Sequence, residues 1–116
     1  MNRSQEKIRQ EALLADRERI AKNKSALDAL HGKAENADAR TAGEIDRLRG
    51  RSEYLSPSRE SDVYDYDVRI GNKIGDLKIA LTKASDPFDY EQCLQLCGAI
   101  SDLLTDREAA AARSRN

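Results

Sequence analysis

The chain has 116 residues, no Trp and a single Phe; 4% of its residues are aromatic and 35% are charged. That length bounds it to one domain, and that composition excludes a wide core and favours narrow helix–helix seams, in which each helix buries only a stripe. The net charge of −1 excludes a global pull toward nucleic acid or an anionic membrane.

The first element in chain order is read from a seven-residue repeat: Leu13, Ile20, Leu27, Ala34, Thr41, Leu48 and Leu55. Such a repeat puts one side chain per two turns on a single helical stripe, which asks to be buried against another helix. The spacing predicts one long helix over residues 3–51, bent or weakened at Gly32. A helix end at Gly32 is the alternative, because glycine is a common C-terminal cap. A continuous helix of that length spans roughly 70 Å. The companion stripe is Asp16, Asn23, Leu30, Ala37 and Glu44. It is mostly polar and predicts a weak seam or a solvent-facing edge.

Ser56 followed by Pro57 reads as a cap and a first helical position, so a second helix is predicted over residues 57–84. Val63, Tyr66, Ile70, Ile74, Leu77, Leu81 and Ala84 give it an apolar face with alternating spacings of three and four. Asp86 and Pro87 repeat the punctuation. A third helix follows from Pro87 toward Arg113, carrying Tyr90, Cys93, Leu94, Leu96, Cys97, Ile100, Leu103 and Leu104. The short link makes the second and third helices an antiparallel hairpin. The predicted fold is therefore all-α: a long, charged, coiled-coil-like helix over residues 1–51 and a helical hairpin over residues 52–116. Together they form one structural unit, a three-helix bundle whose long helix overhangs the hairpin.

Chemistry is sparse. Cys93 and Cys97 lie one turn apart, but a structural zinc site needs about four ligands, and packing as small buried hydrophobes is the plainer reading. His31, the sole histidine, shows no nucleophile-and-base arrangement in its spacing and reads as a helix-surface residue. Gly71 and Gly75 form a GxxxG pair, which predicts a close helix approach because glycine within a helix costs about 1 kcal/mol relative to alanine. Tyr64, Asp65, Tyr66 and Asp67 alternate, with Tyr66 expected in the seam and Tyr64 half exposed. No catalytic constellation, cofactor motif or metal-ligand set emerges, so a non-enzymatic protein is expected.

The expected role is protein–protein interaction, as an adaptor, inhibitor or assembly factor. The partner would be another copy of the chain, another protein, or both. The predicted interaction seam is Leu13, Ile20, Leu27, Leu30, Leu48, Val63, Tyr66, Ile70, Ile74, Leu77, Leu81, Cys93, Ile100 and Leu104. The charge is uneven. Residues 1–25 hold seven Arg and Lys against four Asp and Glu, whereas residues 52–70 hold two against five. The basic arm offers an alternative role in nucleic-acid binding, with Arg9, Arg17, Arg19, Lys22 and Lys24 as phosphate contacts. Those cations are interleaved with acids and lack stacking aromatics, so nucleic acid is not the expected partner. No apolar run reaches a membrane span, and the first residues are polar. The expected compartment is therefore the cytoplasm, with reduced thiols.

A further alternative comes from three stretches: Ala26-Leu27-Asp28-Ala29, Lys33-Ala34-Glu35-Asn36-Ala37-Asp38-Ala39 and Glu44-Ile45-Asp46-Arg47-Leu48-Arg49. Together they resemble the coiled segment of phage inner-membrane spanins (Rz-like lysis proteins). That resemblance implies a helical segment that crosses the periplasm and takes part in membrane fusion during lysis. Members of the family begin with a membrane anchor. The resemblance therefore implies a soluble, anchor-free segment here, and a periplasmic location only for such a piece.

Overall fold

The computed structural model describes residues 3–115, without the side chain of Arg115. Four helices account for most of it: α1 (Arg3–Glu35), α2 (Ala39–Glu53), α3 (Ser61–Lys83) and α4 (Pro87–Arg115). No strand occurs among the described residues. The molecule measures 57 × 22 × 19 Å, and its long dimension is set by the 33 residues of α1 at 1.5 Å each.

The predicted single helix over residues 3–51 is two helices, so the bundle has four helices rather than three. The break is at Asn36, Ala37 and Asp38, not at Gly32, which lies inside α1. Asp38 adopts extended backbone angles (φ −155°, ψ 113°). Its Oδ2 accepts from the Thr41 amide at 3.0 Å and from the Thr41 hydroxyl at 2.6 Å. This N-cap satisfies a backbone donor that an isolated helix start leaves free. On the other side of the break, the Ala37 and Asp38 amides both donate to the Ala34 carbonyl at 2.9 Å. The seven-residue phase of Ala34 and Thr41 carries across the break, which is why periodicity alone reads the two helices as one.

The second predicted helix starts four residues late. Ser56 and Pro57 belong to the connection over residues 54–60, and α3 opens at Ser61 with Glu60 as its cap residue. Tertiary bonds hold this connection out of helical geometry. The Ser56 carbonyl accepts from Arg107 Nη2 at 3.0 Å, and the Ser58 amide donates to Asp16 Oδ2 at 2.7 Å. The third predicted start is where it was expected. Asp86 Oδ1 accepts from the Asp89 amide at 3.0 Å, and Asp89 Oδ2 reaches back to the Ser85 amide at 3.0 Å and the Asp86 amide at 3.4 Å. This reciprocal pair is a capping box built from two aspartates.

α1 packs on α2 and α3, and α4 packs on α3 and α2; the diagonal pairs α1/α4 and α2/α3 have no close backbone approach. Cross-helix bonds give the directions. Asn23 meets Asp67 and Lys33 meets Thr82, so α1 and α3 run parallel. Arg40 meets Glu91 and Arg51 meets Ser101, so α2 and α4 also run parallel. The chain thus forms two antiparallel hairpins set side by side, and the connection from α2 to α3 crosses the diagonal at one end. The interior is a single apolar cluster that includes Leu27, Leu30, Ile45, Leu48, Ile70, Ile74, Leu77, Leu81, Cys93, Cys97, Ile100 and Leu104. All four helices contribute to it.

Candidate functional site

The predicted interaction seam is internal. Ile20, Leu27, Leu30, Leu48, Val63, Ile70, Ile74, Leu77, Leu81, Cys93, Ile100 and Leu104 are buried within the one chain. Leu13 and Tyr66 are half-buried. Tyr66 flanks the core rather than filling it, with the Arg69 guanidinium 5.3 Å from its ring centroid. The heptad stripe therefore finds its partner helices inside the same molecule. Ile8 and Leu14 of α1 are exposed, and Leu13 lines a cleft of about 520 Å³ beside the crossover connection and the end of α4.

Beneath that connection lies a cluster the sequence pattern did not single out. Asp16 and Asp67 are 0% exposed and Arg107 is 3% exposed. Arg107 Nε donates to Asp67 Oδ1 at 2.7 Å, and Arg107 Nη2 lies 3.5 Å from Asp16 Oδ2. Asn23 Nδ2 donates to the Asp67 backbone carbonyl at 2.9 Å. Arg107 thus reaches across the bundle diagonal and ties α1, α3, α4 and the crossover connection together. One cation facing two buried carboxylates leaves an excess negative charge, which a low-dielectric interior penalises by several kcal/mol. The environment answers this by raising the proton affinity of Asp67. Burial pushes the Asp67 carboxyl up to about 7, its hydrogen bond with the Asp16 carboxyl adds to the rise, and Arg107 opposes both. Asp16 Oδ1 and Asp67 Oδ2 are buried without a hydrogen-bond partner among the described residues, so a proton held on Asp67 adds a donor to a cluster that is short of them. The two carboxyl groups are sealed from solvent, and the cluster pins the crossover connection to the bundle.

That cluster left a signal in the sequence. Asp16 and Asn23 stand on the companion stripe with Leu30, and all three are buried, so the polar edge faces inward instead of toward solvent. Asp67 sits in phase between Val63 and Ile70, and Arg107 three residues after Leu104. Charges in the buried phase of a helix are the mark of an internal ion cluster.

Cys93 and Cys97 are free, buried thiols inside the apolar cluster. Burial pushes the Cys93 thiol up, with Asp38 and Asp89 adding to it, and burial pushes Cys97 up to about 12. Both therefore stay protonated and behave as small hydrophobes. The described residues contain no group of three or more His, Cys, Asp and Glu placed to hold a metal ion. His31 is half-buried, not a free surface residue. Its Nδ1 lies 3.0 Å from Glu35 Oε1 and 2.9 Å from Arg49 Nη1, and Arg49 Nε also donates to Asp28 Oδ1 at 2.8 Å. These contacts brace α1 against α2.

The GxxxG pair divides into two roles. A methyl group at Gly71 would stand 2.7 Å from Asn23 Oδ1, whereas nothing lies within 4 Å of the corresponding position at Gly75. Gly71 therefore makes room for the Asn23 and Arg19 side chains of α1, and Gly75 leaves a space. That space is part of a mostly apolar groove of about 240 Å³ between α1 and α3. Ala26, Ala29, Leu30, Ile74 and Gly75 line its apolar surface. Arg19, Lys22, Lys33 and Lys78 stand around them, with no carboxylate in the lining. None of these four cations is in an ion pair among the described residues, whereas Arg40, Arg47, Arg49, Arg51 and Lys73 are. Lys33 Nζ donates to the neutral Thr82 hydroxyl at 2.7 Å.

The predicted phosphate contacts do not form one surface. At 100° per residue the buried stripe of α1 separates Arg17 and Lys24 from Arg19 and Lys22, and only the latter two border the groove. Arg9 lies apart, at the crossover cleft. The stretch that carries the spanin resemblance covers the end of α1, the capped turn and most of α2, a helical hairpin instead of a continuous coil. Among the described residues no helix is long and apolar enough to cross a membrane. No protein-family model, no curated protein and no solved structure matches the chain.

Proposed function

We propose that the protein is a non-enzymatic helical module that works by binding another protein through the face shared by α1 and α3. The observation that carries this reading is the groove there: an apolar floor ringed by four cations that have no ion-pair partner among the described residues. An apolar patch rimmed by polar groups is the usual form of an interaction site. The heptad seam does not serve as the interface, because the chain's own core already uses it.

A photo-crosslinking residue placed at Ala29, with a control at Asp102 on the exposed side of α4, tests the reading in a native lysate. Protein adducts at position 29 and none at position 102 are the expected result. Equal labelling at both positions, or labelling at neither, removes it.

A further inference from the structure

Two pairs of cations stand at opposite ends of the α1–α3 groove, and their separation gives a measure of what fits between them. Arg19 and Lys22 precede Lys33 by 14 and 11 residues on one continuous helix. That separates their Cα positions from that of Lys33 by about 16–21 Å along the axis, and the Arg19 guanidinium reaches inward, with Nη1 3.3 Å from where a methyl group at Gly71 would stand. Lys78 of α3 stands at the Lys33 end, because α3 runs parallel to α1 and Lys33 already meets Thr82. Between the ends the floor is small and apolar, with Ala26 and Ala29 on one wall, Gly75 on the other, and Ile74 and Leu30 beneath. The missing side chain at Gly75 leaves an open notch.

Charge and shape point the same way. A ligand for this surface needs negative charge toward both ends of the groove and apolar bulk between them. A single small anion satisfies one end only and leaves the floor exposed to water. A helix of about four turns with acidic residues in its first and last turns satisfies both ends, and a leucine-sized side chain midway enters the notch. Helix-in-groove docking of this kind is read through apolar anchors at spacings of three and four residues. None of the four cations forms an ion pair among the described residues, so an acidic partner gains their field without breaking existing ion pairs.

We infer that the α1–α3 groove, with its notch at Gly75 and its cations Arg19, Lys22, Lys33 and Lys78, docks an acidic amphipathic helix of a partner protein. The inference rests on the protein-binding reading above and adds the chemistry of the partner. Charge complementarity commits it to a helix flanked by acids, because neutral and basic helices gain nothing from the rim. The occupant lies along the groove axis, packed against both α1 and α3 as a fifth helix of the bundle.

The test uses the full chain and a fluorescent synthetic helix of about sixteen residues, which covers the span between the cation pairs. It carries leucines at three- and four-residue spacings on one face and glutamates in its first and last turns. A matched peptide has glutamine in place of every glutamate. Anisotropy should show binding of the acidic peptide, at least tenfold weaker binding of the glutamine peptide, and loss of affinity with added salt. Gly75→Leu fills the notch without a clash at its Cβ and should weaken binding at least tenfold with helicity intact. K22E with K33E should do the same by reversing the rim. Equal binding of the two peptides, or binding indifferent to G75L, overturns the inference. Sedimentation with anionic phosphatidylserine vesicles but no peptide binding also overturns it, in favour of a lipid surface. If neither peptide binds while the crosslink at position 29 still forms, the acidic helix is wrong and the protein-binding face survives. If both fail, both readings fall.

Discussion

At the scale of single residues, the chain is organised around Arg107 and the two acids it bridges. Asp67 holds its proton more tightly when folded than when unfolded, since its carboxyl moves from the usual 3.8 up to about 7. Between those values the folded state binds more protons than the unfolded one, so stability falls as pH rises through that window and is level above it. Urea unfolding at pH 5 and pH 8 should show the higher midpoint at pH 5, beyond any slope contributed by surface carboxylates. Asp67→Asn imitates the protonated acid. Its carbonyl can accept from Arg107 and its amide can donate to Asp16, so the variant should lose most of the difference between the two pH values. A D67N protein with the wild-type pH slope would assign that slope elsewhere. Arg107→Ala leaves two buried acids without a cation and should cost about 3–5 kcal/mol at neutral pH. Part of that loss should return on acidification, read as a thermal midpoint that rises from pH 7.5 to pH 5.

At the scale of elements, the helix boundaries divide into those written locally and those imposed by the rest of the molecule. The start of α4 is local, because Asp86, Pro87 and Asp89 supply every part of its cap. The start of α2 is also local, since Asp38 and Thr41 are three residues apart, but the continuing apolar phase masked it. Asp38→Ala should therefore cost about 0.5–2 kcal/mol, with the loss of amide protection confined to the first turn of α2 in hydrogen exchange. The start of α3 is not local. Ser56-Pro57 is a sound helix-start signal, yet Arg107 and Asp16 bind the backbone around it and delay the helix to Ser61. The two glycines of α3 supply a matched comparison. Gly71→Ala pushes a methyl into Asn23 Oδ1, whose own amide nitrogen is held by the Asp67 carbonyl, so it should lower the thermal midpoint. Gly75→Ala meets open space and should raise stability by up to about 1 kcal/mol through helix propensity. Equal shifts for the two would mean that α1 and α3 do not approach at Gly71.

At the scale of the whole molecule, the two hairpins each bring half of one core. Ile70, Ile74, Leu77 and Leu81 of α3, with Cys93, Ile100 and Leu104 of α4, share a single cluster with Leu27, Leu30, Ile45 and Leu48 of the first hairpin. Each such side chain contributes about 1.5–3 kcal/mol when fully buried, and separation of the hairpins would expose them all. Residues 52–116 alone should therefore lack a cooperative thermal transition, and the full chain should show one. The same closure predicts the assembly state. With the heptad seam internal, light scattering after gel filtration should give a mass near the monomer value of 13.0 kDa. A stable dimer that survives Leu27→Asp would place the self-contact outside the seam.

The sequence by itself determined that this protein is helical, which residues face inward on most of its turns, and where the α3–α4 hairpin bends. Those properties are periodic or local: a stripe repeats every three or four residues, and a cap is complete within four. Only the tertiary structure decided where the stripes found their partners. A phase says that Leu27 and Leu77 are both buried and says nothing of whether they meet in one chain or two. It also decided the fate of Asp16, Asp67 and Arg107, which lie 40 and 91 residues apart along the chain. Each alone looks like a misplaced charge on an apolar face; together they are a compensated set, and compensation between buried charges depends on distances in space that no local pattern encodes. The groove arose in the same way: the glycine pair predicts a close approach, but only the packing of α1 beside α3 leaves open space at Gly75 next to Ala26.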